Sequence, residues 1–499
     1  MNSKAEFIGF NDMVPWRPGG GGRLHLTSAV GSRPPIAGDL AEVRLLAGEG
    51  GARVLGETDC WNFPQGARQQ WLPGGREIVF NARENGVPCA WVVGCDGTGR
   101  RKLSTQVYSL SANGEVAFGL NFGRLQRLGG YGYAGLPDET AGSATPRNDG
   151  IWSVPLEGSE RRLLVSIAEV AEFGRETRAA GAGHHYLTHV LPSPSGRRIA
   201  FLHRCWLPDG GLNTRLLTLE LDGRQLRLWA EGYLSHFDWR DEQTLVIWGR
   251  VGRQLGRMRQ QAGGLSLVPR PLLRLAKDVL RPLLGRSAAM RCHYLVLRED
   301  GQEPSFLAPG ELKMDGHPSF LPSDRSWMLS DTYPDKAGWR ELFLFDWAQG
   351  RRHLLGRFQE FHGELDTSRL AEAVVGIDPM ALQNFNPKVF AYNRSGFYCD
   401  FHPRWKPDGS EVCFDSNHEG NRRVYSVGIP AAVIGREVEE VRFNPNSTGA
   451  AVSTRLRSRL RGAGPATAES RALDWMKFDY GSQSQAAWET TGSTYACQA

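Results

Sequence analysis

The sequence predicts an all-β fold, a β-propeller of six blades with seven as the alternative, and three observations predict it. A turn followed by a short apolar run recurs: REIVFNA at 76–82, EVAFGLNF at 115–122, RRIAFLHR at 197–204, TLVIWGR at 244–250, SWMLSDTY at 326–333 and EVCFDS at 411–416. A second hairpin follows several of these runs, in IWSVPLEGSERRLLVS, RLLTLELDGRQLRLWA and ELFLFDWAQGRRHLLGRF. Four histidines also hold one phase. His189, His236, His317 and His402 each stand five residues before the residue that opens the turn: Pro194, Asp241, Pro322 and Pro407. A repeating unit of about four short antiparallel strands is what a propeller blade requires.

Taken in order, residues 1–38 read as an irregular segment and 39–435 as the propeller. AEVRLLAGEGGARVLGE, at 41–57, reads as strands without a hairpin partner. Turn-centred units then begin near Arg68, Val107, His189, His236, His317 and His402. Their turns, PGG, ANG, PSG, PSD and PDG, supply the Gly, Asp and Pro that tight reversals need. The last unit shows three clear strands ending in RRVYSVGI. An N-terminal strand is therefore expected to complete it and close the ring, hiding two sheet edges.

Three segments break the repeat. Residues 251–290 form a basic, leucine-rich insertion, LVPRPLLRLAKDVLRPLLGR at its heart, suited to a short amphipathic helix between prolines. It would serve as a lid or rest weakly on a membrane surface through 265–286, or else pack on the rim with its arginines solvated. Residues 358–399 are a long connection able to overhang one face, and 436–499 are a low-complexity tail rich in Ser, Gly, Ala, Arg and Thr.

Composition narrows the function classes. A length of 499 residues would suggest several ordinary domains, but a propeller grows by adding blades around one axis. The 60 glycines and 15 tryptophans suit many turns and aromatic packing between blades. A formal charge of +5 is small for this length, so nucleic acid is not implied. The eight cysteines include no C-x-x-C pair, which argues against a zinc ribbon and suits a reducing compartment. No stretch approaches the roughly 20 apolar residues of a spanning helix, and the start of the chain lacks a signal-peptide core. A cytoplasmic protein is expected.

The first strand of a blade lines the central channel, and the loop leaving the second strand returns to the same face. The four in-phase histidines should thus meet residues that follow second strands at one mouth: Arg204, Arg250, Asp331, Tyr333 and His418, with Arg68 where the first unit opens. Imidazoles beside arginines and carboxylates can hold a divalent cation and an acidic ligand together. A histidine there can instead simply cap its blade, but four in one register argue for a shared site. His184 and His185, in a Gly/Ala-rich stretch, are expected to be exposed, and His25, His293, His353 and His362 are out of phase. GYGYAG at 130–135 precedes LPDETAG rather than a helix, so it is no dinucleotide loop. The sequence has no G-x-S-x-G nucleophile elbow and no phosphate loop ending in Gly-Lys-Ser/Thr.

HPRWKPDGSEVCFDS and HPSFLPSDRSWMLSD resemble the blades of TolB-like propellers, and the in-phase histidines make the chain similar to the oligogalacturonate lyase group of six-bladed propellers over about residues 60–430. The resemblance implies β-elimination cleavage of short uronic-acid oligosaccharides, with manganese or a similar divalent ion held by histidines and a glutamine, and an arginine as base. Carried over, the arginine is Arg204, the histidine opening the next blade is His236, and the later metal histidines are His317 and His402. Arginine is an awkward base, its pKa exceeding 12, and His236 or His189 is chemically easier. The chain departs from the family's Gln-x-x-His-x-His cluster. It reads Tyr398-Cys399-Asp400-Phe401-His402, so that either His189 replaces the missing ligand or the metal site is altered. The competing expectation is a non-catalytic TolB-like propeller that binds a saccharide or a protein partner at the same mouth.

Overall fold

The computed structural model describes residues 4–47, 51–157, 160–174, 183–206, 212–251, 292–382 and 386–430. The basic insertion, apart from Val251, and the tail from 436 onward lie outside the described residues, as does the membrane contact expected of 265–286. The described chain is all-β, with a few short helices, and its strands form six hydrogen-bonded antiparallel sheets.

The first sheet holds β1 (Ala5–Phe7), β2 (Arg23–Ser28), β3 (Ala41–Leu46) and β4 (Ala52–Thr58) in that order. The second holds β5 (Gln70–Trp71), β6 (Glu77–Glu84), β7 (Val87–Gly94) and β8 (Arg101–Leu103). The third holds β9 (Ser109–Leu110), β10 (Val116–Gly119), β11 (Gly150–Pro155) and β12 (Arg162–Ser166). A seven-stranded sheet follows: β13 (His185–Pro192), β14 (Arg198–Trp206), β15 (Leu212–Glu220), β16 (Arg227–Asp241), β17 (Thr244–Val251), β18 (His293–Arg298) and β19 (Ser305–Phe306). Then come β20 (Ser319–Phe320), β21 (Trp327–Asp331), β22 (Trp339–Asp346) and β23 (Arg351–Gln359), and last the three-stranded β24 (Arg404–Trp405), β25 (Glu411–Ser416) and β26 (Arg423–Gly428).

Two sequence expectations change here. Residues 1–38 are not irregular throughout, because β1 and β2 pair within them. The strand signal of RLHLTS is masked by polar side chains that are nonetheless buried; Thr27 donates to Glu42 from within the sheet. Nor do the strands at 41–57 lack partners: β3 pairs with both β2 and β4.

The seven-stranded sheet is two hairpin pairs joined through β16. The first part of this 15-residue strand pairs with β15 from Arg227 to Gly232, and the rest pairs with β17 from Gly232 to Asp241. Gly232 is the handover point. Its φ is +155°, and a Cβ there would lie 2.3 Å from the Arg250 carbonyl.

Apolar clusters join each sheet to the next. Phe7, Leu26 and Val43 pack on Ile78, Phe80 and Trp91; Val79 and Val92 on Ala117 and Val154; Phe118 and Ile151 on Phe201 and Leu217. Within the long sheet Leu202 and Leu216 meet Phe237 and Ile247, and beyond it Trp248 meets Met328 and Phe343. Leu329 and Leu344 meet Val412 and Phe414, and the series returns to the start where Ile8, Phe10 and Met13 pack on Cys413. Each such buried side chain contributes about 1.5–3 kcal/mol, so the interfaces between sheets hold the molecule together. Glu6 N–H donates to the Arg422 carbonyl at 2.9 Å, which sets β1 beside β26. Cys60, Cys89, Cys95, Cys399 and Cys413 are free, and no described helix is long and apolar enough to cross a membrane.

Candidate functional site

The innermost strands are locally deformed where the in-phase residues sit. The β13–β14 register shifts between Thr188 and Leu191, around His189, and the β16–β17 register shifts between Leu234 and Phe237, around His236. Arg68, His189 and His402 all adopt left-handed backbone, with φ of 52°, 56° and 43°. A bulge turns its side chain out of the strand's regular alternation, and non-glycine residues hold positive φ only when their surroundings enforce it.

His189, His236, His317 and His402 all line one cavity. Ring centroids lie 4.2 Å apart for His236 and His317, 4.3 Å for His317 and His402, and 6.2 Å for His189 and His236. The Phe10 ring stands among them, 4.8–6.1 Å from all four. Phe10 is locked from behind: Arg404 donates to its carbonyl and to that of Gly9, and Asn11 donates to Pro318.

Carboxylates set the tautomers. His317 Nδ1 is 2.9 and 3.0 Å from the two Asp331 oxygens, and a carboxylate only accepts, so Nδ1 carries hydrogen and the neutral ring keeps its lone pair on Nε2. His317 Nε2 is buried and has no protein partner. His236 Nδ1 is 3.2 Å from Asp315 and 3.1 Å from the Ser235 hydroxyl. His402 Nδ1 is buried without a partner. Ligand atoms of His317, His402 and Asp400 all lie within 4.8 Å of one another. Two imidazoles, one carboxylate and orphaned buried nitrogens fit a divalent cation, and the Asp331–His317 pair is the supporting arrangement that such ligands use.

Burial works to lower the His317 pKa, but the neighbouring Asp331, Asp400 and Asp315 outweigh it and raise it. The other three histidines are lowered. Burial dominates for each, reinforced by Arg204 at His189, by His317 at His236, and by His317 and Arg404 at His402. These three rings are therefore neutral near pH 7.

The remaining expected site residues fall elsewhere. Arg204 is buried behind the cavity wall, its Nη1 donating to the Tyr131 hydroxyl at 3.0 Å, so that Tyr131 rather than Arg204 faces the cavity. Arg68 is fully buried, paired with Asp12 and stacked on Tyr108. Arg250, in β17, lies over the ring of Tyr233 in β16. Asp331 supports His317 from outside the lining, and Tyr333 packs 5.8 Å from His317 and 6.2 Å from His236. His418 packs on Phe358 and Tyr425, away from the cavity. His185, expected to be exposed, is buried in β13, its Nδ1 2.8 Å from His203 Nε2.

Sequence reasoning passed over Gln65, Tyr131, Asn393, Arg394, Tyr398, Asp400 and Arg422, which also line the cavity. Asn393, Arg394 and Tyr398 come from the long connection 358–399, just after the helix Pro387–Tyr392. Arg394 Nε donates to the Gly130 carbonyl at 2.7 Å, and burial draws its pKa down from the usual arginine range. Arg422 is held by Asp415 and by the Tyr398 carbonyl. A carboxylate two residues before His402 was the available signal for Asp400.

No protein-family model matches the sequence, and no curated protein matches it. Among solved structures, the oligogalacturonate lyase of Vibrio parahaemolyticus is similar, at 12% identity over 87% of this chain and 93% of that one, with a TM-score of 0.52. An oligogalacturonate lyase in complex with manganese aligns over 87% of this chain and 100% of that one at 13% identity and a TM-score of 0.39. TolB from Acinetobacter baumannii aligns over 65% of this chain and 61% of that one at 11% identity and a TM-score of 0.32. The likeness to the Vibrio parahaemolyticus lyase shows an all-β, propeller-like fold.

Proposed function

We propose that this protein is a seven-bladed propeller that binds an acidic, uronic-acid-containing oligosaccharide at a divalent-cation site and cleaves it by β-elimination. The blade count rests on the strands: the sheets divide into seven units once β16 is shared between two, and the N-terminal β1 beside β26 would close the ring. Turn-centred units alone give six blades, with seven as the alternative, and the first sheet adds a unit that those turns do not mark. The observation that carries the functional reading is the buried, unpartnered His317 Nε2 beside His402 and Asp400, in a cavity that also presents Arg394 and Arg422.

His317, His402 and Asp400 would hold the cation, Mn²⁺ being the favoured candidate, with His189 and His236 at the same cavity rather than in the ligand cluster. The cation, when bound, would withdraw electron density from a uronate carboxylate and acidify the proton on the adjacent carbon. Arg394 and Arg422, which line the cavity, would clamp that carboxylate. His236 or His189, neutral near pH 7, can accept the proton; its departure forms the new C=C bond as the bond to the 4-linked oxygen breaks, and that oxygen takes up a proton. Arg204, which holds Tyr131, would act through that tyrosine. Free cysteines support a reducing, cytoplasmic setting.

The test joins metal analysis of the purified protein to a screen of uronate oligosaccharides for the ultraviolet absorbance of an unsaturated product. Bound divalent metal with metal-dependent product formation is expected. Oligosaccharide binding without any product would favour the non-catalytic propeller, and absence of both metal and saccharide binding would overturn the reading.

A further inference from the structure

We propose that Arg340 is the positioning residue of the cation site and acts through Asp400. This rests on the cation-site reading above. Asp400 sits on irregular chain ahead of β24, outside any strand ladder, whereas Arg340 belongs to β22 and is fixed there by pairing with Phe358. The Arg340 side chain is 1% exposed. Its Nη1 donates to Asp400 Oδ1 at 2.9 Å and its Nη2 to Glu360 Oε1 at 3.3 Å, while its guanidinium lies 5.7 Å from the Tyr333 ring and 5.1 Å from the Tyr398 ring. The fork thus carries the rigidity of a sheet to a loop carboxylate that must stay near His317 and His402.

The charges point the same way. One guanidinium faces two buried carboxylates, Glu360 and Asp400, and two more, Asp331 and Asp315, stand behind His317 and His236. A structural pairing would balance a buried cation with one anion, because surplus buried charge is costly. Here Glu360 already answers Arg340. Asp400 is tethered through Oδ1, and Arg394 and Arg422 are the other buried cations beside it in the cavity it lines. Glu360 also accepts from Cys399 N–H, so the same clamp holds the chain leading into Asp400.

The experiment measures Mn²⁺ affinity and metal-free Tm on the full chain after chelation and dialysis. Wild type is compared with Arg340→Lys, which keeps the charge but loses the two-headed fork, with Glu360→Gln, with Asp400→Asn, and with the double variant Arg340→Lys/Asp400→Asn. Arg340→Lys and Glu360→Gln should each weaken Mn²⁺ binding by roughly 10–100-fold, the range of partners that support metal ligands. In the Asp400→Asn background the lysine should cost little further, because Arg340 acts through that carboxylate. Unchanged Mn²⁺ affinity in Arg340→Lys, even with a lowered metal-free Tm, would overturn the positioning role and leave the cation site standing. Additive losses in the double variant would do the same. A wild-type protein that binds no Mn²⁺ would instead overturn the cation-site reading, and this inference with it.

Discussion

His317 concentrates the residue-scale chemistry: two Asp331 oxygens dictate its tautomer, and its second nitrogen is left buried with no protein partner. Such a site, carried on an already packed scaffold, should lose its ion without losing its fold. The double variant His317→Ala/His402→Ala is therefore expected to release divalent metal while retaining a cooperative thermal transition. Metal content equal to wild type would remove both residues from the ligand set. A second prediction concerns His25 of β2, which is not among the residues lining this cavity and whose pKa burial pushes down to about 3, with Arg23 and Arg44 reinforcing. Below the unfolded value of 6.5 the unfolded chain takes up a proton that native His25 refuses, so its contribution to stability is full above pH 6.5 and declines as pH falls toward 3. Replacing it, as His25→Gln, should flatten the loss of stability between pH 6.5 and 4.5 by about 1.4 kcal/mol per pH unit, read from urea midpoints. Identical slopes in the two proteins would show that His25 does not stay neutral in the folded state.

At the scale of elements, β16 is the unusual piece, one strand serving two hairpin pairs and crossing between them at Gly232. The backbone there is at φ +155°, and the Arg250 carbonyl stands 2.3 Å from where a Cβ would be. Gly232→Ala is expected to destabilise the protein by about 1–3 kcal/mol, the usual cost of enforced local strain. The expected signature is a lower urea midpoint with an unchanged slope, and an unshifted midpoint would mean that β16 can yield at the handover. The connection 358–399 belongs to this scale too. Its helix Pro387–Tyr392 has Asn386 as N-cap, accepting from Lys388 N–H, with proline in the first turn, and it delivers Asn393, Arg394 and Tyr398 to the cavity.

For the whole molecule, the segment from Ile8 to Asp12 ties distant parts of the chain together. Ile8 N–H donates to Asp415, Gln69 donates to the Ile8 carbonyl, Asn11 donates to Pro318, and Asp12 pairs with Arg68. Phe7, Ile8, Phe10 and Met13 are all buried. Removing residues 1–13 should cost roughly 6–12 kcal/mol at about 1.5–3 kcal/mol per buried side chain, enough to leave a marginal domain unfolded. Circular dichroism and calorimetry of the truncated chain test this. A truncated protein that melts at the wild-type temperature would show that the segment merely fills the cavity.

The repeat, the hairpins and the phase of the four histidines were legible in the sequence because they depend on local spacing: an alternation of two within strands and a constant distance from histidine to turn. His189, His236, His317 and His402 could therefore be named together, and the structure places them around one cavity. The first sheet was not legible, because the polar residues of β2 hide a buried strand whose pairing is made at a distance. Nor was the supporting shell. Asp331 is 14 residues from His317, Arg340 is 60 from Asp400, and Phe10 is hundreds of residues from the ring it occupies. Which carboxylate backs an imidazole, whether Arg204 or Tyr131 faces the cavity, and which buried nitrogen is left without a partner depend on side chains meeting across blades. Local spacing fixes the strands that carry them, and only the packing of those strands around a common cavity decides what they touch.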